Sequence, residues 1–198
     1  MALIYSARPN APRSQGACAG TGQRVGSLAR LGNMTELSGR ARVQADADAR
    51  AVTLEFVQRG PASSLEEAAE NLGVAPREIV KTLVAKAKLT QSATEHSYVV
   101  ALIPGDKQVD WAKLRRLAGM KKMSMTAPEE AVAATGYHPG TITPFGARTP
   151  EGQTWPVYAD ASISGRIAMG AGEQDLNLFV EADELFAAFD VVVGDIGK

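Results

Sequence analysis

The chain has 198 residues, 45% hydrophobic and 22% charged, with a formal net charge of −1. That composition suits one globular domain with a real core and excludes a strong overall field that would recruit nucleic acid or a membrane surface. A single cysteine, Cys18, excludes an internal disulfide, which fits a reducing cytoplasm, and no apolar run reaches the ~20 residues of a membrane span.

The charge is unevenly spread. Residues 1–33 carry Arg8, Arg13, Arg24 and Arg30 and no acid, so residues 34–198 hold 17 bases against 22 acids. Any nucleic-acid site in the domain must then be a local patch. Residues 1–33 show many breakers, no sustained period and no continuous apolar core like that of a secretory signal, and are expected to be a disordered extension. Met34 is the expected natural start of the domain, which would occupy residues 34–198.

Helix and strand signals alternate after that point. "TELSGRARVQADA" predicts a weak helix and "AVTLEFVQ" a strand of alternating pattern. Ser64 followed by Glu67 forms a capping box ahead of "LEEAAENLG", with Gly73 as the stop. "EIVKTLVAKA" and "SYVVALIP" predict two strands joined by a polar turn near Thr90–Glu95. Asp110 caps "WAKLRRLAG", and "APEEAVAATG" is a helix with Pro128 in its first turn. A long Gly/Pro/Thr loop, "GYHPGTITPFGARTPEG", precedes three further strands, "TWPVYAD", "RIAMGAG" and "LNLFVEA". "ADELFAAF" closes the chain as a helix. The irregular interleaving predicts a single α/β domain around a mixed sheet.

Familiar catalytic signatures are missing: there is no GxSxG elbow, P-loop, CxxC or HExxH. His96 and His138 are far apart in sequence and no cysteine accompanies either, so no metal site is expected. "GAGEQD" lacks the third glycine and following helix of a dinucleotide fingerprint. Four other features could carry chemistry. Lys81 shares a strand face with Ile79, Leu83 and Ala85, where a buried ammonium is costly unless paired. It is either an edge charge with a snorkelling stem or a cation at a pocket wall holding a phosphate, carboxylate or carbonyl oxygen. The loop Thr135–Gly146, with Gly136, Gly140, Gly146, Pro139 and Pro144, is either a stiff connection or a source of backbone amides for a developing oxyanion. Lys113, Arg115, Arg116, Lys121 and Lys122 form a solvated face or a phosphate-backbone contact. Asp160, at a strand end, and Gly170 and Gly172, after "RIAM", are caps or bulges, or else line a ligand site.

These pieces occur in one order, and that order resembles the YbaK/EbsC family of aminoacyl-tRNA deacylases, which includes the editing domain of bacterial prolyl-tRNA synthetase. The resemblance rests on the lysine of "VKTLVA", on "LAGMKKMSMTAPEEAVAATGY", on "GTITPFG", on "PVYAD" and on the late glycine-bearing strand. It covers roughly residues 45–195. It implies an α/β domain with a mixed, curved β-sheet flanked by helices, and hydrolysis of the ester joining a wrong amino acid to the 3′ end of a tRNA. It implies neither a metal, nor a cofactor, nor a nucleophilic side chain.

By the same resemblance, Lys81 is the motif lysine and fixes the terminal nucleotide. Gly140, Thr141, Ile142 and Pro144 belong to the G-x-x-x-P loop whose amides hold the substrate end, and a substrate hydroxyl assists the attack. Tyr137, Asp160, Gly170 and Gly172 are expected around the substrate. Lys113, Arg115, Arg116, Lys121 and Lys122 are expected to contact the acceptor stem. Aminoacyl-tRNA is the implied partner, with an aminoacyl-tRNA synthetase as a second, and no membrane partner is implied. There are two departures. A histidine-proline pair common after the first strand is replaced in "FVQRGPASS", and a glycine pair by Gly140-Thr141. Both fall near where the amino-acid side chain would be judged, leaving Cys, Ala, Ser and Thr as candidates. A freestanding trans-editing deacylase is the leading expectation; a non-catalytic tRNA- or synthetase-binding module and a small nucleotide esterase are the alternatives.

Overall fold

The computed structural model describes residues 37, 39–90, 92 and 95–198. The expected extension 1–33 and the expected start at Met34 lie outside the described residues. Helix α1 (Gly39–Arg50) is followed by β1 (Glu55–Gln58), α2 (Leu65–Leu72), a 3-10 turn (Pro76–Glu78), β2 (Val80–Lys88) and β3 (Ser97–Pro104). Next come α3 (Trp111–Leu117), β4 (Lys122–Met125), α4 (Pro128–Thr135), β5 (Val157–Asp160) and β6 (Arg166–Gly170). The chain closes with β7 (Leu176–Glu181), α5 (Ala182–Ala188) and β8 (Val192–Gly194). Among the described residues no helix is long and apolar enough to cross a membrane.

The mixed α/β fold is as expected, with one refinement. Hydrogen bonding divides the strands into a three-stranded sheet, β1-β7-β6, and a five-stranded sheet, β4-β2-β3-β5-β8. The small sheet is antiparallel; the large one pairs β2 with β3 and β4 antiparallel, and β3, β5 and β8 parallel. One parallel bridge, Ile79 to Ala168, joins them where the 3-10 turn enters β2.

Strand alternation explains the layers. Val80, Val84, Val100 and Leu102 of the large sheet face Ile167, Met169, Leu178 and Val180 of the small one, making the main core with Val43, Ala47 and Phe145. The opposite side of the large sheet, through Ala85, Ala87, Val99, Ala101 and Ile103, buries Leu114 of α3. The outer side of the small sheet places Ala168 and Phe179 against Ala69 and Leu65 of α2.

The caps read from sequence are present, but the box at Ser64 is only half formed, because the Glu67 carboxylate accepts from the Ser63 amide instead of that of Ser64. The Ser64 side chain accepts from the Glu67 amide, Gly73 ends α2 in the left-handed region, and Asp110 accepts from the Ala112 and Lys113 amides. Two strands carry no sequence signal. β4 has the mostly exposed sequence "KMSM", and β8 is three residues long with Val192 and Val193 exposed.

Candidate active-site cleft

The position of β4 creates the site. It pairs with Ala85–Lys88 only, so the Val80–Leu83 half of that edge of β2 has no strand beside it. A cleft of about 390 Å³ opens there. Its walls are Val80 to Leu83, the segment from Ala62 to Leu65 at the start of α2, Gly140 and Ile142 of the long loop, and Gly170 at the end of β6. Arg59 and Asn177 complete it. The structure thus brings together four residues singled out from sequence: Lys81, Gly140, Ile142 and Gly170.

Lys81 is a partly buried cation on the α3 side of β2. Its Nζ donates to the carbonyl of Gly105 at 2.9 Å and to that of Lys107. An ammonium has three protons, so one remains for a ligand. Burial lowers its pKa, against the opposing pull of Asp106 and Glu66. The two carbonyls seat the ammonium, and Lys81 lies in the cleft wall on the unpaired half of this edge of β2.

The loop meets the cleft as a turn. The Thr141 amide donates to the His138 carbonyl at 3.0 Å, and its hydroxyl bonds the same carbonyl at 2.9 Å. The Thr141 amide is therefore consumed inside the turn, whereas the amides of Gly140 and Ile142, two residues that line the cleft, make no hydrogen bond to a described residue. Gly140 has φ +86°, a left-handed conformation that a side chain would strain. The loop leans on β6: a Cβ at Gly170 would lie 2.6 Å from the Thr141 carbonyl carbon and 2.9 Å from the Ile142 carbonyl oxygen. The Gly172 amide holds the Thr141 carbonyl at 2.9 Å. Pro144 is buried behind the turn and does not reach the cleft.

A profile of the aminoacyl-tRNA editing domain family matches residues 59–188. The chain belongs to that family. The Enterococcus faecalis protein EbsC, whose name assigns it provisionally to Cys-tRNA(Pro) and Cys-tRNA(Cys) deacylation, is 32% identical over 117 residues, 58% of this chain and 65% of EbsC. The proline–tRNA ligase of Thermosipho africanus is 34% identical over 151 residues, 73% of this chain but 25% of the ligase. The chain thus spans less than two thirds of the length of these curated relatives. Among solved structures, a protein described as a candidate trans-editing enzyme for prolyl tRNA synthetase superposes with a TM-score of 0.69 at 27% identity. That superposition covers 80% of this chain and 96% of the other.

Within the editing domain, Tyr137 and Gly172 stand under the loop instead of in the cleft. Tyr137 is fully buried, and its hydroxyl donates to the Phe145 carbonyl at 2.8 Å and accepts from Arg42 Nε at 3.0 Å. Burial pushes its pKa up. Helix α1 braces the same loop through Asp46, which accepts from the Gly146 amide at 2.7 Å and pairs with Arg50 and Arg148. Neither Tyr137 nor Gly172 lines the cleft, and Gly172 lies against the Tyr137 ring, where a Cβ would come within 2.7 Å.

Asp160 also lies outside the cleft wall. It is 1% exposed and clasps the C-terminal segment. It accepts from the amides of Ile196 at 3.1 Å and Gly197 at 2.6 Å, from Lys107 Nζ at 2.9 Å, and from the Ser162 amide and hydroxyl. Its link to the site is indirect, because Lys107 supplies one carbonyl that seats Lys81. Burial alone would raise the Asp160 pKa, but bonds from Ser162, Lys107 and Gly197 outweigh it and hold the carboxyl well below the usual range. A depressed carboxyl contributes stability above its unfolded pKa near 4 and loses it as pH falls toward the folded value. Asp160→Asn should therefore cost about 3 kcal/mol in urea unfolding at pH 7. It should also flatten the loss of stability between about pH 4 and pH 2. An unchanged pH slope would contradict this.

The five cations divide. Lys113 Nζ is committed to Asp195 at 2.8 Å and to the Gly197 carbonyl at 3.0 Å. Arg115, Arg116, Lys121 and Lys122 are exposed. Lys122 opposes Lys88, so these charges sit along the same edge of β2 as the cleft, about 17 Å from Leu83 at ~3.3 Å per residue.

Among the cleft residues not singled out from sequence are Arg59, Asn177 and Thr82. The Thr82 hydroxyl is shielded from solvent and has no hydrogen-bond partner among the described residues. Thr82 sits inside the "KTL" motif, and the departure at "QRG" flagged Arg59's segment without naming the residue. Asn177, in an apolar strand, is the one polar interruption that could have drawn notice. Among the described residues no group of three or more His, Cys, Asp or Glu is placed to hold a metal ion.

Proposed function

We propose that this chain is a freestanding trans-editing deacylase that hydrolyses the ester of a mischarged aminoacyl-tRNA. The observation that carries the reading is the convergence of Lys81, the Gly140 turn, Ile142 and Gly170 on one cleft of an editing-domain fold. The names of EbsC and of the trans-editing neighbour support it. In this mechanism the amides of Gly140 and Ile142 stabilise charge developing on the ester oxygen, a device worth ~10²–10³ in rate per donor elsewhere. Lys81 anchors the terminal nucleotide through its third proton. Its other protons bind protein carbonyls, so it is spatially fixed. By family resemblance a substrate hydroxyl assists the attacking water. The cytoplasm, where charged tRNAs occur, is the proposed compartment.

The test is a deacylation screen of one tRNA body charged in turn with cysteine, alanine, serine and threonine. Turnover of at least one over the spontaneous rate is expected. Tight tRNA binding without turnover of any would favour a non-catalytic tRNA- or synthetase-binding module. The exposed cations supply a second measurement. Replacing Arg115, Arg116, Lys121 and Lys122 with glutamine should raise KM for tRNA far more than for a small aminoacyl ester. It should also lower the salt slope of tRNA binding by up to about four. Equal effects on both substrates would point to a small-ester hydrolase.

A further inference from the structure

Arg59 is a charged side chain of the cleft whose presence the mechanism above does not use. It sits at the point where the sequence departs from its family's common pattern, in "QRGP". The structure holds it on three sides. Its amide donates to the Asp175 carbonyl at 2.8 Å, its Nε donates to Asn177 Oδ1 at 3.0 Å, and its Nη2 reaches Asp175 Oδ1 at 3.4 Å. Asn177 is itself buried and fixed, its amide nitrogen donating to the Met169 carbonyl at 3.0 Å. Asp175 adopts φ 57°, a left-handed conformation unusual outside glycine, and so its carbonyl and carboxylate both serve Arg59. The Arg59 side chain is 15% exposed. Its Nη1 has no hydrogen bond to any described residue.

A guanidinium has five donors in a rigid plane. Here two sides of that plane are fixed by Asn177 and Asp175, the remaining nitrogen is unpaired among the described residues, and the residue lines the cleft. The charge balance then decides what it can take. Asp175 forms an ion pair with Arg59. Asp175 already offsets the Arg59 charge, so a neutral oxygen beside Arg59 would meet an unpaired donor without needing to bring a charge of its own. A purely alkyl group would strip water from that donor and leave it unpaired, which is the usual basis of strong discrimination by polar sites.

We infer that Arg59 is the specificity-determining residue of the cleft, using its free Nη1 to select an aminoacyl group whose side chain carries a neutral hydroxyl, as serine and threonine do. The inference rests on the deacylase reading for its placement at the amino-acid end, and its test has an arm that does not need turnover. One tRNA body charged with serine, alanine or aspartate is assayed for deacylation. In parallel, non-hydrolysable 3′-amide analogues of seryl-, alanyl- and aspartyl-adenosine are titrated by calorimetry. The wild-type protein should favour the seryl over the alanyl species by about 10- to 100-fold in both assays, the range of one hydrogen bond to a charged group. The aspartyl species should not exceed the seryl one. Arg59→Met should bring the seryl-to-alanyl ratio within about threefold, mostly through the seryl side. Arg59→Lys, which keeps the charge but loses the fork, should be intermediate.

A wild-type ratio near one, an aspartyl preference, or an equal loss on all three species in Arg59→Met would overturn the assignment. If no ester is cleaved at all, the deacylase reading fails. The analogue titration then decides on Arg59 alone: a seryl preference upholds it and no preference overturns it. The wild-type ratio carries the test even if Arg59→Met does not fold.

Discussion

Gly170→Ala should lower deacylation about 10²-fold, a loss of the size that a 1 Å misplacement produces elsewhere. The residue has no unusual φ, so the added methyl is not opposed by its own backbone. It is opposed by the Thr141 carbonyl at 2.6–2.7 Å and the Ile142 carbonyl oxygen at 2.9 Å. All three close atoms are backbone, which cannot swing aside as a side-chain tip would. Either β6 bends, at the expense of Met169 and the main core, or the turn carrying the Gly140 and Ile142 amides moves. His138 to Gly140 of the turn are exposed whereas Ile167 to Gly170 of β6 are all buried, so the turn gives way. Stability should fall by only about 1–3 kcal/mol, the usual cost of overpacking. Single-turnover rates alongside the thermal midpoint separate the two effects. A variant as active as the wild type would mean that those amides do not act on the ester.

Lys81→Met should reduce kcat/KM by about 10- to 100-fold if the ammonium makes one charge-assisted bond to the substrate. The same variant should be destabilised, because the Gly105 and Lys107 carbonyls lose their donor; about 1–3 kcal/mol is expected. A purely structural lysine would show the second effect without the first. Lys81→Arg discriminates further. Its planar fork does not reproduce a pyramidal seat on two carbonyls, so it should recover little of the rate despite keeping the charge. A full rate in Lys81→Met, with stability lost, would remove the lysine from the reaction and leave it as a clasp between β2 and the turn after β3.

Much of this architecture was readable along the chain. Ser64, Gly73, Asp110 and Gly136 mark helix ends because capping depends on the residue at the boundary and little else. β2, β3, β6 and β7 were legible because their apolar residues alternate or run continuously. β4 and β8 were not, since they are edge or near-terminal pieces whose exposed residues leave no pattern; they exist because a neighbouring strand supplies their hydrogen bonds. The division into two sheets was likewise invisible, as it depends on which edges meet across the Ile79–Ala168 bridge.

The same contrast holds at the site. Residue type alone set out its chemical inventory: a lysine on an apolar strand face, a stiff glycine-proline loop and no side-chain nucleophile. Local sequence is sufficient there because side-chain alternation and glycine conformation are properties of a few adjacent residues. Tertiary structure decided the roles. It turned Tyr137 and Gly172 into the underside of the loop, Asp160 into a C-terminal clasp that reaches Lys81 only through Lys107, and Lys113 into a partner of Asp195. It also raised Arg59 from an unremarked residue to a fixed guanidinium whose Nη1 is unpaired among the described residues. Those outcomes follow from contacts between residues distant in sequence, such as Arg59 with Asn177, 118 positions apart, and Asp160 with Ile196, 36 apart. No periodicity along the chain encodes such pairs, because each is made only when two sheets and a loop have packed together.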